Sequence, residues 1–368
     1  MEQSRLAFLA LRFIPGIGDY LVRQLVSYCG SAEAVFKTKR GKLLKIPGVG
    51  EVTADAILSE RPFREAEKEL AKAEKENVQL LFFTDKSYPA RLRNIPDAPS
   101  LLYTKGNINF ENQKVVAIVG TRQATSYGKE RVEEIVKALI PHGALIVSGL
   151  AYGIDIHAHK QAIKHNLPTL GVMGSGMDVI YPATHKETAE HMFEHGGLMT
   201  ENCFGTKPDA HHFPQRNRII AGLCDALIVV EAAIKGGALI TAEIANSYNK
   251  DVFAFPGSIG EPFSEGCNTL IKTNKAHLLT SVKDLEYIMN WDASSDAKKV
   301  RPVISLEGFD ESEQIILKIL IEKKAAVLID ELSWKSTLPI SQLASVLLGL
   351  EFKGAVKSLP GKQFTLSG

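Results

Sequence analysis

At 368 residues and 40.2 kDa the chain exceeds what one ordinary hydrophobic core holds, so two or three domains are expected. Apolar residues make up 45% and charged residues 23%, a globular balance, and no apolar run reaches the roughly 18 residues that span a bilayer, so no membrane contact is expected. A net charge of +1 excludes a polycation that coats nucleic acid by bulk attraction, and any phosphate binding must come from locally placed cations and backbone amides.

The opening stretch, MEQSRLAFLALRF, has a short apolar run without a basic n-region or a small-residue cleavage site, and reads as a helix rather than a signal peptide. Between residues 4 and 60 the chain echoes itself. Ile14-Pro15-Gly16-Ile17-Gly18 and Ile46-Pro47-Gly48-Val49-Gly50 each lead into an amphipathic helix, which predicts a helical N-terminal domain of two similar halves. These turns resemble helix-hairpin-helix motifs, whose glycines let backbone N–H groups face a DNA phosphate. Here Asp19, Glu51 and Asp55 follow the turns where DNA-binding versions carry Lys or Arg. Their charge would repel a phosphate, so a structural or protein-docking role is favoured. A charge-laced helix over 63–76 leads to a strand over 78–83, which closes a first domain at 1–85. A loop with several prolines, Tyr88 to Pro99, then crosses to the main domain.

From Lys114 buried apolar runs alternate with helical stretches: Val115–Val119, Leu145–Val147, Thr169–Met173, Leu198–Thr200, Leu227–Val230 and Val252–Phe255. That alternation predicts an α/β domain over 86–290, an extended Rossmann-like, doubly wound parallel sheet of roughly six strands. Ligands of such sheets gather at the carboxyl ends of the strands. The residues found there are Gly120-Thr121-Arg122, Ser148-Gly149, Gly174, Glu201 and Glu231 with Lys235-Gly236-Gly237. From Phe213 to Glu243 a basic helix start bearing Arg216, Asn217 and Arg218 leads into an apolar helix, a buried strand, and a glycine pair that opens a second helix. Cations beside helix N-termini and close-approach glycines describe a phosphate-binding rim, which Lys207 and Lys235 extend.

The turns match neither GxGxxG nor a Walker loop, so no nucleotide cofactor is expected. His211 and His212 have no Cys or carboxylate companions, and no metal is expected either. The four cysteines are scattered without a CxxC, which points to a reducing cytosol.

A polar, aperiodic stretch over 291–308 reads as a linker. The last segment, 309–368, predicts helices over 311–323, 329–334 and 341–350, with Asp330 near one N-terminus and Ser341 as the N-cap of the last, then a hairpin to Phe364. That order is winged-helix-like. The third helix, SQLASVLLGLE, carries no Lys or Arg, so protein docking is favoured over duplex readout.

The series VGTRxxTxYG, SGLAxGIDxxAH, GSGxDxxYP, FPxRNRIIAGL, GGALITAxxA, FAxPG and GxNxLI, in order from Val119 to Ile271, resembles the DNA-processing protein A (DprA, also called Smf) family of bacteria. The resemblance implies a non-enzymatic binder of single-stranded DNA, usually a homodimer. Such proteins protect incoming strands during natural transformation and help load the recombinase RecA on them. On this reading Arg122 would grip a backbone phosphate bidentately. Gly120, Ser148, Gly149 and Gly174 would admit the sugar-phosphate chain, and Phe213 would either stack on a base or staple the helix start. Arg216 and Arg218, two apart, cannot both reach one face; one is expected on the DNA and the other in a structural pair with Asp225 or Glu231.

Two alternatives remain. The Arg216-to-Glu243 run is also similar to LOG-type nucleoside-monophosphate phosphoribohydrolases, with Glu243 at the catalytic Glu position. However, Lys235 replaces Pro, and Leu239-Ile240 replace the Gly-Thr that wraps the nucleotide phosphate, which would block that pocket. The second alternative is a scaffold with a vestigial pocket.

Overall fold

Runs such as Val115–Val119 and Ala226–Val229, buried along their whole length, form the centre of a nine-stranded sheet whose last strand, His277–Leu278, is exposed. The computed structural model describes residues 2–59, 62–111, 114–291, 309–323, 327–359 and 363–366. They fall into two units, Met1–Trp291 and Asp292–Gly368, and of the stretch 291–308 expected as a linker, 292–308 lies outside the described residues.

In the first unit the strands are β1 (Gln79–Phe82), β2 (Leu101–Gly106), β3 (Val115–Val119), β4 (Leu145–Ser148), β5 (Thr169–Val172), β6 (Gly196–Thr200), β7 (Ala226–Val229), β8 (Asp251–Ala254) and β9 (His277–Leu278). Their order is β1-β2-β6-β5-β4-β3-β7-β8-β9, parallel from β6 to β9 and antiparallel at β1 and β2. The chain steps from β3 outward to β6 on one side, then returns and steps from β7 to β9 on the other. The direction of winding therefore reverses between β3 and β7, the topological switch point of an open α/β sheet.

The helices before the sheet are α1 (Glu2–Phe13), α2 (Asp19–Cys29), α3 (Ala32–Lys37), α4 (Arg40–Leu43), α5 (Glu51–Ser59) and α6 (Phe63–Lys75). Gly16 and Gly48, at φ +79° and +86°, make the two turns that the sequence echo marks. This helical region shares its core with the sheet: Leu9, Leu25, Val35 and Ile57 belong to the same buried cluster as Phe82, Tyr103, Met173 and Leu198. Polar ties cross the same boundary. The Tyr103 hydroxyl donates to Glu69 Oε1 of α6 at 2.8 Å, and Lys72 pairs with Asp178 at 2.7 Å.

Asp19 has a definite partner set. Its Oδ1 accepts from Ser100 N (2.9 Å) and Ser100 Oγ (2.6 Å), and it forms ion pairs with Arg12 (3.4 Å) and Arg218 (3.5 Å). The first hairpin thus turns its acidic start toward the sheet domain. In the second, Asp55 pairs with Arg40 at 2.6 Å.

The remaining helices of this unit are α7 (Ala90–Arg93), α8 (Ser126–Ala138), α9 (Ile154–Lys164), α10 (Lys186–His191), α11 (His212–Leu223), α12 (Gly237–Ser247), α13 (Glu265–Lys272) and α14 (Val282–Met289). Two further buried clusters fill the two faces of the sheet, one around Val119, Val147, Ile220 and Leu227, the other around Ile118, Ile146, Ile154 and Phe253.

The second unit is a winged-helix domain: α15 (Glu311–Lys323), α16 (Ile329–Ser336) and α17 (Ile340–Phe352), with β10 (Val327–Leu328), β11 (Val356–Leu359) and β12 (Gln363–Leu366) in the order β10-β12-β11. One expectation is corrected here. Ser341 is not the N-cap of α17; Pro339 holds that position at φ −57°, so Ser341 lies inside the first turn. A proline brings its own fixed φ to a helix start, and it displaced the side-chain cap that a serine would supply.

Candidate nucleic-acid interface

At the carboxyl ends of β3 and β7 the reversal of winding opens a cavity of about 730 Å³. One wall is the loop after β3, carrying Gly120, Thr121 and Arg122; another is the first half of α11, with Phe213, Arg216 and Asn217; the third is the start of α12, with Gly236 and Gly237. The cavity therefore brings together eight of the sequence-derived candidates from three separate strand-to-helix connections.

The loop after β3 is held by buried groups from its neighbours. Glu231, almost fully buried, accepts from Thr125 N at 3.0 Å and Thr125 Oγ1 at 2.5 Å, and Thr121 N donates to Glu231 O at 2.8 Å. Below the loop lies Gly153 at φ +78°, where a Cβ would stand 2.2 Å from Thr121 O. Only glycine lets the backbone of Thr121 and Arg122 settle so close. Arg122 itself is exposed, forms no ion pair among the described residues, and lies with its guanidinium carbon 5.4 Å from the Phe213 ring centre. The Phe213 ring is half-buried and has the half-exposed Tyr181 ring 6.0 Å away, so aromatic surface borders the free cation.

Arg216 occupies the floor. It is 5% exposed, donates through Nη1 to Val172 O at 2.8 Å, and its Nε has no partner. Gly149 makes the room: a Cβ there would fall 1.7 Å from Arg216 Nη1 and 2.6 Å from Asp155 Oδ2. Asp155 is buried beside Arg216 and accepts from the Gly149 N–H at 3.1 Å. Burial lowers the Arg216 pKa to about 10 against the pull of Asp155, with Arg122 lowering it further, so the guanidinium stays charged at neutral pH. Burial likewise raises the Asp155 carboxyl, and Arg216 opposes that rise.

Other candidates sit elsewhere. Ser148 is buried and its Oγ donates to Ile118 O at 2.6 Å. Gly149 lies under Arg216, and Gly174 backs onto Phe213, where a Cβ would meet Cδ1 at 3.2 Å. Lys207 and Lys235 are exposed, each next in sequence to a residue of the cavity wall. Arg218 turns away from the cavity: it pairs with Glu201 and with Asp19 at 3.5 Å, and donates to Asp97 O at 2.6 Å. The expected partners Asp225 and Glu231 are thus corrected. Asp225 pairs with Arg91 at 2.8 Å, while Glu231 holds the β3 loop.

Asp155 and Tyr181 follow the second and third strands in the SGLAxGIDxxAH and GSGxDxxYP motifs, but neither is assigned a place in the site from the sequence. The available signals were an acidic residue in the first turn of the helix after β4 and an aromatic residue in the turn after β5. Of the two branched residues expected to close a nucleotide pocket, Ile240 lines the cavity, whereas Leu239 packs against the core. Glu243 does not line it and pairs with Lys275 at 2.6 Å. Among the described residues no three His, Cys, Asp or Glu side chains group to hold a metal ion, and no helix is long and apolar enough to cross a membrane.

Fold and cavity define a Rossmann-type protein with a cationic, glycine-walled pocket at the switch point; along the chain a helix-hairpin-helix region precedes the sheet and a winged-helix region follows it. The family model for DNA recombination-mediator protein A matches residues 79–290, that for the DprA winged helix domain 303–362, and that for a SAM-like helix-hairpin-helix tandem 8–61. The chain belongs to the DprA/Smf family of DNA-processing proteins.

It is 31% identical to Protein Smf of Synechocystis over 99% of both chains, and 40% identical to DNA processing protein DprA of Streptococcus pneumoniae over 62% of this chain and 80% of that protein. The X-ray structure of the pneumococcal protein superposes with a TM-score of 0.66 at 32% identity, covering 76% of this chain and 95% of that one. DNA processing protein A of Helicobacter pylori, described for its single-stranded DNA binding mode, superposes with a TM-score of 0.53 at 28% identity over 58% of this chain and 95% of that one.

Proposed function

We propose that this chain binds single-stranded DNA without sequence preference and acts as a non-catalytic recombination mediator, a homodimer that protects incoming strands in natural transformation and hands them to RecA. One observation carries the reading: an unpaired Arg122 stacked on Phe213 at the lip of a cavity whose floor is the buried Arg216. Phosphate and base are the two features every nucleotide of a strand repeats, and this lip offers a cation and a ring side by side. Gly120, Thr121, Asn217, Gly236 and Gly237 would line the path of the backbone, with Lys207 and Lys235 flanking it. The name under which the Helicobacter pylori relative is described supports the choice of ligand. Glu243, engaged with Lys275 away from the cavity, speaks against hydrolysis of a glycosidic bond.

Titration of labelled single- and double-stranded oligonucleotides at two salt concentrations tests this. Single-strand affinity should fall steeply with salt as counterions are released. Arg122→Ala should weaken it about tenfold, the effect of one charge-assisted contact, with thermal stability unchanged. Wild-type affinity in Arg122→Ala at moderate salt would place the strand elsewhere. The winged-helix unit supports a docking role, since α17 has no Lys or Arg and exposes Ile340, Leu348 and Phe352. Deleting 309–368 should therefore leave duplex affinity within about twofold, and a large loss would make that unit a DNA reader.

A further inference from the structure

We propose that Tyr181 and Tyr152 are base-stacking platforms for single-stranded DNA, which lead a strand away from Arg122 and Phe213 across the loops after β5 and β4. This rests on the single-strand reading of the cavity and extends it to the aromatic side of its mouth.

Charge gives a strand little hold on that side. Among the residues lining the cavity Arg122 is exposed, whereas Arg216 is buried beside Asp155, and the exposed Asp209 adds a negative charge. Beyond Arg122 the surface is aromatic instead. The Tyr181 ring lines the cavity 6.0 Å from the Phe213 ring, and the residue is 45% exposed. Tyr152, 47% exposed, follows Ala151, which lines the cavity as well. Every base has a π-face, so exposed rings fixed beside a phosphate contact hold a strand whatever its sequence.

The loop after β4 is built to hold Tyr152 in place. Leu150 sits at φ +57°, a left-handed conformation that leucine rarely adopts, with its side chain fully buried. Such backbones persist only where the surroundings over-determine them, and they gather at ligand clamps. Here the Leu150 carbonyl accepts from His185 Nδ1–H at 2.8 Å. The buried His185 ring in turn meets the Tyr152 ring edge-on, with centroids 4.9 Å apart. His185 closes the short segment that Tyr181 begins, so that segment supplies one ring and supports the other. Neither tyrosine hydroxyl has a hydrogen-bond partner among the described residues, so ring packing is what seats each side chain. A ring held before the strand arrives loses little freedom on binding.

The full-length protein and its variants Tyr152→Ala, Tyr181→Ala, Tyr152→Phe and Tyr181→Phe should be titrated with labelled oligothymidylate, and with the same strand carrying abasic sites in place of its bases. On oligothymidylate each Ala variant should bind about tenfold more weakly, the loss of one stack, while each Phe variant stays within about twofold of wild type. On the abasic strand wild type and the Ala variants should bind alike, because the ring has no base to meet. The dependence of affinity on salt should be the same in the Ala variants as in wild type, whereas Arg122→Ala should lower that slope by about one. Each ring stands or falls by its own variant. Wild-type affinity after removal of a ring, or a loss as large on the abasic strand, would overturn its role as a platform while leaving the Arg122 contact intact. Failure of wild type to bind any strand would instead overturn the single-strand reading.

Discussion

Arg216→Ala is expected to lose about 3 to 5 kcal/mol of stability as well as single-strand affinity, whereas Arg122→Ala loses affinity alone. The two guanidinium groups border the same cavity but differ in surroundings. Arg122 is exposed against an aromatic ring, so truncation removes a contact with ligand and little else. Arg216 is buried beside Asp155, and its removal leaves a buried carboxylate with hydrogen bonds from Gly149, Ala151 and Ser148 but no nearby cation of its own. Breaking a buried charge pair by deleting one member costs more than the pair itself contributes, because the survivor remains uncompensated. Thermal and urea unfolding of the single variant would measure the loss. Adding Asp155→Asn to Arg216→Ala should recover part of it, since the stranded charge is gone. If Arg216→Ala unfolds within about 0.5 kcal/mol of wild type, the Asp155–Arg216 coupling is unimportant and the floor of the site has been misread.

Why Arg216 was legible only as one of two candidates follows from what a sequence records. Strands such as Val115–Val119 and Ala226–Val229 are buried on both faces, so they announce themselves as apolar runs, and the doubly wound sheet could be read from them. Winding order then locates the cavity without any knowledge of side chains. β2 was less visible. It follows the proline loop directly, and its place beside β6 depends on antiparallel pairing across a long chain separation. The same limit governs Arg216 and Arg218. Two residues apart on α11, they point to different faces, but which face meets the cavity depends on where Asp19 and Glu201 lie. Asp19 looked like an obstacle to phosphate because only its hairpin was in view; its partners Ser100 and Arg218 are contributed by remote segments. Glycines show the converse difficulty. Gly149 reads as a turn that admits a ligand, yet the nearest atoms to its missing Cβ are those of Arg216 and Asp155, so it makes room for the protein's own charges.

A second large effect concerns pH, through a histidine in the same buried region. His159 on α9 is fully buried, with Nδ1 2.7 Å from Thr169 Oγ1. That hydroxyl donates to Ile146 O at 3.0 Å, so it must accept from Nδ1–H, leaving Nε2 as a lone pair without a partner. Burial, with Arg216 and His185 adding repulsion, lowers the pKa from 6.5 to about 3. The unfolded chain therefore takes up a proton below about pH 6.5 that the folded chain refuses until about pH 3. Stability from this group is full above that window and is lost as pH falls through it, by at most about 5 kcal/mol. Wild-type unfolding curves alone would blur the effect. Burial pushes Glu201 up to about 7, and a raised carboxyl acts oppositely, lowering stability as pH rises between about 4.5 and 7. The measurement is thus a difference: urea unfolding of wild type and His159→Gln at steps from pH 7 to pH 4, where Glu201 cancels. The variant should be less stable at pH 7 through lost packing, and the gap should narrow steadily as the pH falls. A gap that stays constant across the series would mean that His159 takes up its proton in the folded protein as readily as in the unfolded chain.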